Sequence, residues 1–108
     1  ISKIHQAYQW VLDPDGNAST DDAADVVNNS WGFEDNVNVC YQEFEQDLQT
    51  LKAAGIAVVF SAGNRGPYAY SSVSPANNPS GYAVGAVDAT GTLAKDSSRD
   101  PSPRDRAM

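Results

Sequence analysis

The residue best placed for chemistry in this sequence is Asn64, which follows the small residues Ser61-Ala62-Gly63. Small side chains let a ligand approach the backbone closely, because little projects from it. A side-chain amide just beyond such a segment can donate a hydrogen bond to an oxygen that becomes negative during a reaction. The alternative is a structural asparagine in the turn before Gly66-Pro67, and local sequence alone favours that turn.

Several other kinds of chemistry lack the residues that they require. A glycine-rich phosphate loop is absent, both in the Gly-x-Gly-x-x-Gly and in the Gly-x-x-x-x-Gly-Lys form. His5 and Cys40 are the only histidine and cysteine, so they form neither a zinc site nor an internal disulfide. We interpret His5 as an ordinary surface or core histidine. Cys40 is either a buried apolar residue or a partner for a segment outside this sequence.

An acidic loop near the start of the chain partly resembles a calcium-binding loop. Asp13, Asp15 and Asn17 alternate as the first ligands of such a loop do. A calcium loop also needs a glycine at its turn and a closing glutamate, and Ala18 and Ala24 occupy those two positions. We therefore expect a solvated acidic loop here rather than a calcium site.

Length and charge narrow the classes of partner. The chain has 108 residues, of which 41% are hydrophobic, enough for one domain with a modest core. Its net charge of −7 repels phosphate backbones, so we expect no nucleic-acid partner. No apolar run approaches the ~20 residues of a membrane-spanning helix, and no signal-peptide pattern opens the chain. Helix-like sequence begins at Ile1 itself, so we expect a piece of a longer protein.

Hydrophobic periodicity predicts the elements that would position Asn64. Apolar residues at helical spacing predict helices over 1–12 and 39–54, with Gly55 ending the second. Short apolar runs predict buried strands over 24–28 and 56–60 and a third strand over 82–87, followed by an irregular polar tail from Lys95. This alternation predicts an α/β fold, a parallel sheet with flanking helices. Ligands of such sheets bind beyond the carboxyl ends of the strands, where 28–32 and 61–64 lie.

Four blocks of the sequence resemble the subtilase family of serine proteases. They are Val-Val-Asn-Asn-Ser-Trp-Gly at 26–32, Ala-Ala-Gly-Ile-Ala-Val-Val-Phe-Ser-Ala-Gly-Asn at 53–64, Ser-Pro-Ala at 74–76 and Tyr-Ala-Val-Gly-Ala-Val-Asp at 82–88. They occur in the family's order, and the Asn-Asn-Ser-Trp-Gly variant resembles the bacillopeptidase F-like branch. The resemblance implies that 1–108 is the central part of a subtilisin-like peptidase domain, with a partial subtilisin-like fold.

The resemblance also implies a role for each cleft residue in peptide hydrolysis by acyl transfer, the reaction of a serine endopeptidase. Asn64 matches the side-chain donor to the oxyanion of a tetrahedral intermediate. The segment Ser30-Trp31-Gly32 matches a backbone wall that pairs with the substrate as an edge strand. The segment Ser61-Ala62-Gly63 matches the opposite wall, which lines the S1 pocket for the P1 residue before the scissile bond. Arg65 is expected at the rim of that pocket, where a cation favours acidic P1 side chains; the alternative is a solvated loop arginine with no effect on substrate choice.

Other expectations follow from the same resemblance. The backbone carbonyls of Ala76, Asn78 and Gly81 match a weak cation site of some members. Catalysis is expected to require no cofactor, with calcium or sodium as a structural ion only. The expected partners are a polypeptide substrate and the remainder of the protease domain. The family's usual setting predicts a secreted or cell-surface protein.

The sequence also departs from the family pattern. Asp100 stands where a glycine follows Ser97-Ser98-Arg99 in the family. The Gly-Thr-Ser-Met-Ala motif of the nucleophile, the His-Gly-Thr motif of the base and the aspartate strand are absent, so this chain by itself is expected to be inactive. Two alternatives stay open: a non-catalytic peptide-binding module or pseudo-protease fragment, and an unrelated doubly wound α/β domain that binds a small ligand.

Overall fold

The computed structural model describes residues 1–103, and the end of the predicted irregular tail, 104–108, lies outside the described residues. Helix α1 spans Ser2–Leu12 and helix α2 spans Glu45–Ala53. The strands are β1 (Val26–Asn29), β2 (Ala57–Ser61) and β3 (Tyr82–Val84). No helix among residues 1–103 is both long and apolar enough to cross a lipid bilayer.

The three strands form one parallel sheet in the order β1-β2-β3. Val27 is paired with Val58, and Phe60 is paired with Ala83, so the carboxyl ends of the strands meet at the same edge. Each strand reaches its neighbour through a long connection, as parallel pairing requires, and the first connection contains α2. The predicted α/β fold, a parallel sheet with flanking helices, is confirmed.

The core lies between the two helices and one face of the sheet. The side chains of Phe44, Leu48 and Leu51 are fully buried, and Phe60 of β2 is almost so. Helical spacing places Phe44, Leu48 and Leu51 on one apolar stripe of α2, and this stripe packs on the sheet. Removing each such side chain from water stabilises the fold by about 1.5–3 kcal/mol. The buried side chain of Tyr8 packs α1 against the same core.

A buried amide joins α1 to the end of β1. The Tyr8 hydroxyl donates to Asn29 Oδ1 over 2.8 Å, and Trp31 Nε1 donates to the same oxygen over 3.2 Å. The amide nitrogen of Asn29 donates to the carbonyl of Val59 over 3.1 Å. A buried amide is costly without partners, and these hydrogen bonds satisfy it. Asn29 therefore fixes the point where the chain leaves the sheet.

Helix α2 is shorter than predicted, because it begins at Glu45 and not at Val39. The backbone before it is bound to a neighbouring loop instead. The N–H of Tyr41 donates to Ser74 Oγ, and Ser74 Oγ donates to the carbonyl of Val39, both over 2.8 Å. Ser74 is fully buried, so its hydroxyl needs these partners, and they outweigh the local helical spacing. Cys40, within this stretch, is partly buried, and its thiol donates to Asn78 Oδ1 over 3.5 Å.

The prediction that the strands are buried was wrong for one face of the sheet. Both helices cover the same face, and among residues 1–103 the opposite face is open: Val26 is 58% exposed, Tyr82 67% and Val84 51%. An apolar run in the sequence indicates that a strand is suited to burial on both faces. It does not show whether another element covers each face. Strand β3 also ends earlier than predicted, because Val87 turns to pair with Leu93.

Candidate functional site

Two segments form the walls of a cleft at the carboxyl edge of the sheet. The first wall, Ser30-Trp31-Gly32, follows β1, and the second wall, Ser61-Ala62-Gly63, begins at the last residue of β2. The pairing of Asn29 with Phe60 brings the two walls level with each other. The structure therefore places both walls where the sequence predicts, and their role in binding stays a prediction.

Val73 lies between the two walls, with its side chain almost completely buried. A Cβ built on Gly32 would lie 3.1 Å from Val73 Cγ2, and a Cβ built on Gly63 would lie 2.8 Å from the same methyl group. The close approach of this side chain therefore favours glycine strongly at position 63, whereas a Cβ at position 32 would need only a small shift of its neighbours. Sequence reasoning missed Val73, because a single valine in a loop of serine, proline and asparagine carries no signal for such a contact.

Asn64 follows the second wall and is exposed. Gly63 before it has a φ of 110°, a conformation that favours glycine, so the chain turns here without strain. The backbone N–H of Asn64 donates to Glu34 Oε1 over 3.3 Å. Among residues 1–103 its side-chain amide makes no hydrogen bond, so both of its N–H groups are available to a ligand.

Arg65 was predicted to lie at the rim of the S1 pocket as a positive charge, and two acidic side chains lie beside it in the structure. Its Nε lies 3.4 Å from Glu34 Oε2, and its Nη2 lies 3.9 Å from Asp35 Oδ1. Two carboxylates face one guanidinium, so the three side chains together carry a formal charge of −1. Sequence reasoning missed Glu34 and Asp35, because they lie 30 residues or so before Arg65 in an acidic loop. The effect of Arg65 on substrate choice stays a prediction.

The ring of Trp31 packs into the core. It meets Phe44 and Phe60 edge-on, with ring centroids 5.5 Å and 6.0 Å apart. Such T-shaped pairs are a favoured arrangement of aromatic rings. The first wall therefore offers the cleft the backbone of Trp31 and not its side chain, and pairing of that backbone with a substrate stays a prediction.

The segment 97–99 supports the second wall from behind. The N–H of Ser98 donates to the carbonyl of Gly63 over 2.9 Å, and the N–H of Arg65 donates to Ser98 Oγ over 3.0 Å. Asp100, which departs from the family pattern, follows this segment. It lines a cavity of about 400 Å³ together with, among others, Ala62, Val73, Ser97 and Arg99.

The predicted backbone cation site forms a compact turn before β3. The N–H of Gly81 donates to the carbonyl of Asn78 over 2.9 Å. A Cβ on Gly81 would lie 2.9 Å from the carbonyl oxygen of Ala76 and 2.6 Å from that of Pro75, so carbonyl oxygens converge on this glycine. One of the three predicted ligand carbonyls, that of Asn78, thus already accepts a hydrogen bond. Binding of an ion by Ala76, Asn78 and Gly81 stays a prediction.

A cluster of three carboxylates lies after α1. Oxygens of Asp13, Asp15 and Asp22 all lie within 4.8 Å of one another, and sequence reasoning missed Asp22. Asp15 accepts hydrogen bonds from the Asn17 N–H over 2.8 Å and from Thr20 Oγ1 over 2.7 Å, and the first of these chiefly lowers the pKa of Asp15. Burial, followed by the contact with Asp15, raises the pKa of Asp13. The solvated acidic loop stays a prediction.

His5 lies away from the cleft, between the two helices. Its Nε2 is 2.9 Å from Glu43 Oε1, and its Nδ1 is 2.5 Å from Asp47 Oδ2. The hydrogen bond to Glu43, with that to Asp47, raises the pKa of His5 above its ordinary value. The side chain is 31% exposed, so His5 joins α1 to the start of α2 at the surface.

These features define a class of protein: part of a parallel α/β domain of the subtilisin type, with a backbone-walled cleft and an exposed amide beyond the central strand. The sequence pattern of the Subtilase family matches residues 1–108. This chain therefore belongs to the subtilase family, as the four sequence blocks indicate.

The chain is also similar to particular members of that family. Bacillopeptidase F of Bacillus subtilis (strain 168) is 40% identical over 111 residues, which cover 94% of this chain and 7% of that protein. Among solved structures, the prenylagaramide maturation protease PagA has a TM-score of 0.70 at 21% identity, over 92% of this chain and 32% of that one. Sphericase has a TM-score of 0.67 at 23% identity, over 88% and 30%. At these identities the solved structures establish the fold alone.

Proposed function

We propose that the protein containing this chain is a serine endopeptidase in which Asn64 stabilises the oxyanion of the tetrahedral intermediate. The observation that carries the proposal is the exposed side-chain amide of Asn64, which has no hydrogen bond among residues 1–103 and follows a wall of small residues at the carboxyl edge of the sheet. Membership of the subtilase family supports the reaction class. The family's reaction needs no cofactor.

Hydrolysis of this kind proceeds by acyl transfer. A serine hydroxyl, whose proton passes to a histidine, attacks the carbonyl carbon of the scissile bond, and the carbonyl oxygen becomes negative. The Asn64 amide donates to that oxygen once it carries charge, which stabilises the transition state more than the bound substrate. The serine, histidine and aspartate belong to sequence outside 1–108 in this proposal.

The two walls align the peptide substrate. The backbone of Ser30-Trp31-Gly32 pairs with the extended substrate as an additional strand, and Ser61-Ala62-Gly63 lines the S1 pocket. The close packing of Val73 on Gly32 and Gly63 supports a narrow space between these walls. Small wall residues suit this role, because the substrate backbone must come close to theirs.

Three further parts of the proposal concern partners and setting. The open face of the sheet is covered by the remainder of the protease domain, which its exposed apolar side chains support. Calcium or sodium binds as a structural ion at the carbonyls of Ala76, Asn78 and Gly81, which the convergence of carbonyls on Gly81 supports. The protein acts outside the cell or at its surface, which its family supports.

A serine-reactive fluorophosphonate probe tests the reaction class. In the full-length protein we expect labelling of one serine outside residues 1–108, and in the isolated chain we expect none. Labelling of a serine within 1–108 contradicts the assignment of the nucleophile. A full-length protein that binds extended peptides but neither reacts with the probe nor hydrolyses them is a binding module, and the proposal then fails.

A further inference from the structure

Glu34 connects the two walls of the cleft through a single carboxylate. Its Oε1 accepts the hydrogen bond from the backbone N–H of Asn64 over 3.3 Å, and its Oε2 lies 3.4 Å from Nε of Arg65. Glu34 stands two positions after the first wall, whereas Asn64 and Arg65 follow the second wall directly. The two oxygens of one side chain thus tie together segments that lie 30 residues apart in the chain.

The turn that carries Asn64 is held from two sides. On one side Ser98 donates its N–H to Gly63 over 2.9 Å and accepts the N–H of Arg65 over 3.0 Å. On the other side Glu34 holds the N–H of Asn64 itself. Of the two supports, only Glu34 is hydrogen-bonded to Asn64 itself. Glu34 therefore positions most directly the backbone from which the side-chain amide of Asn64 extends.

The carboxylate of Glu34 also offsets the positive charge of Arg65 at this end of the cleft. The side chain of Glu34 is 33% exposed and contacts Arg65 more closely than Asp35 does, whose side chain is fully exposed and 3.9 Å away. A fully exposed carboxylate is strongly hydrated, so it offsets a neighbouring cation weakly. Glu34 is therefore the main counter-charge of Arg65, and an acidic substrate side chain meets a guanidinium that is already paired.

We infer that Glu34 is a positioning residue of this cleft: it orients the Asn64 turn and suppresses the attraction of Arg65 for acidic P1 side chains. The inference rests on the proposed function. It adds a residue to which the family resemblance assigns no role, and it gives Arg65 at the expected rim a counter-charge. Its two parts separate chemically, because the hydrogen bond needs only an oxygen acceptor whereas the ion pair needs a negative charge.

Glu34→Gln and Glu34→Ala separate these two parts in the full-length protein. Glutamine keeps an acceptor oxygen for the N–H of Asn64 but loses the charge, and alanine loses both. We expect Glu34→Ala to lower kcat on a peptide with neutral P1 by about two- to tenfold, the equivalent of one net hydrogen bond, with KM little changed. We expect Glu34→Gln to keep kcat within about twofold of wild type. Both variants should shift the kcat/KM ratio of P1 Glu to P1 Lys peptides toward Glu, by up to about fivefold.

Asp21→Asn is the matched control, because Asp21 is an exposed acid whose loss changes the net charge equally. It should change neither kcat nor the P1 ratio. Thermal unfolding of each variant identifies a folding defect, and if Glu34→Ala does not fold, the P1 ratio of Glu34→Gln decides. An unchanged P1 ratio in Glu34→Gln, or wild-type kcat in folded Glu34→Ala, overturns the inference.

Hydrogen exchange provides a readout that does not depend on catalysis. In the full-length protein the backbone N–H of Asn64 should exchange faster in Glu34→Ala than in wild type, and at the wild-type rate in Glu34→Gln. Equal exchange in all three proteins overturns the inference even if the wild type is an active protease. The Asn64 N–H could exchange faster in Glu34→Ala while the wild-type protein hydrolyses no peptide. That pair of results supports the inferred contact and refutes the proposed function.

Discussion

Val73 and Gly63 pack so closely that a Cβ on Gly63 would lie 2.8 Å from Val73 Cγ2, and 2.7 Å from Ser98 Oγ. Real Cβ atoms essentially never make contacts this short, so a substitution at Gly63 must move either the second wall or its neighbours. The φ of 110° at Gly63 adds a backbone penalty to this steric one. The shape of the second wall thus depends on one missing methyl group.

Gly63→Ala should therefore damage the cleft as well as the stability. Gly91→Ala is the matched control, because Gly91 also has a positive φ, of 81°, but nothing lies within 4 Å of its added Cβ. Both variants should lose about 1–2 kcal/mol of unfolding free energy from the backbone conformation. Only Gly63→Ala should also reduce kcat/KM, by up to about 10²-fold, through displacement of the wall. Equal activity of the two variants contradicts the role of the second wall.

Asn64→Leu tests the oxyanion donor in the full-length protein. Leucine has the same branched arrangement of heavy atoms as asparagine but no donor, so the loss should fall on kcat and not on KM. The expected decrease is on the order of 10²–10³ in kcat, a magnitude taken from the corresponding donor of subtilisin, a member of this family. Asn36→Leu, at an exposed asparagine of the neighbouring loop, should leave kcat unchanged. A near wild-type kcat in Asn64→Leu rules the role out.

His5 should make the stability of the domain depend on pH. Glu43, then Asp47, raise the pKa of His5 in the folded protein above its ordinary value. The protonated ring therefore stabilises the fold fully below about pH 6.5, the unfolded-state pKa, and this contribution disappears as the pH rises through the folded-state pKa. His5→Gln should lower the unfolding temperature at about pH 5.5 and have little effect at about pH 9.5. The same decrease at both pH values contradicts a charged His5.

Tyr8→Phe tests the buried hydrogen bond at the end of β1. The hydroxyl of Tyr8 donates to Asn29 Oδ1 over 2.8 Å, and Asn29 is only 4% exposed. Loss of this hydroxyl should therefore cost about 1–3 kcal/mol of unfolding free energy. Trp31 Nε1 still donates to the same oxygen, which favours the lower part of that range. Tyr68→Phe, at a tyrosine that is 75% exposed, should cost almost nothing. A second test is alkaline titration, because burial, with the nearby Asp47, holds the pKa of Tyr8 far above its usual range.

The parts of the molecule that depend on local pattern were predictable, and those that depend on contacts between distant loops were not. The stripe of α1, the strands and the two walls follow from periodicity and from strand ends, and the structure has them. The start of α2 was wrong, because buried Ser74 holds the backbone at Val39 and Tyr41. Glu34 was missed for the same reason: its partner Arg65 is distant in sequence, and no local signal connects the two.

Because one face of the sheet is open among residues 1–103, the solubility of this chain should depend on the salt concentration. While that face is uncovered, Val26, Tyr82 and Val84 present an apolar surface beside strand edges, a combination that promotes self-association. The net charge of −7 opposes association, because like-charged chains repel one another. Salt at 0.1 M screens this repulsion between charges more than about 10 Å apart but leaves apolar attraction intact. Newly made chains should therefore stay dispersed in dilute buffer and precipitate as salt is added, until the apolar face is covered.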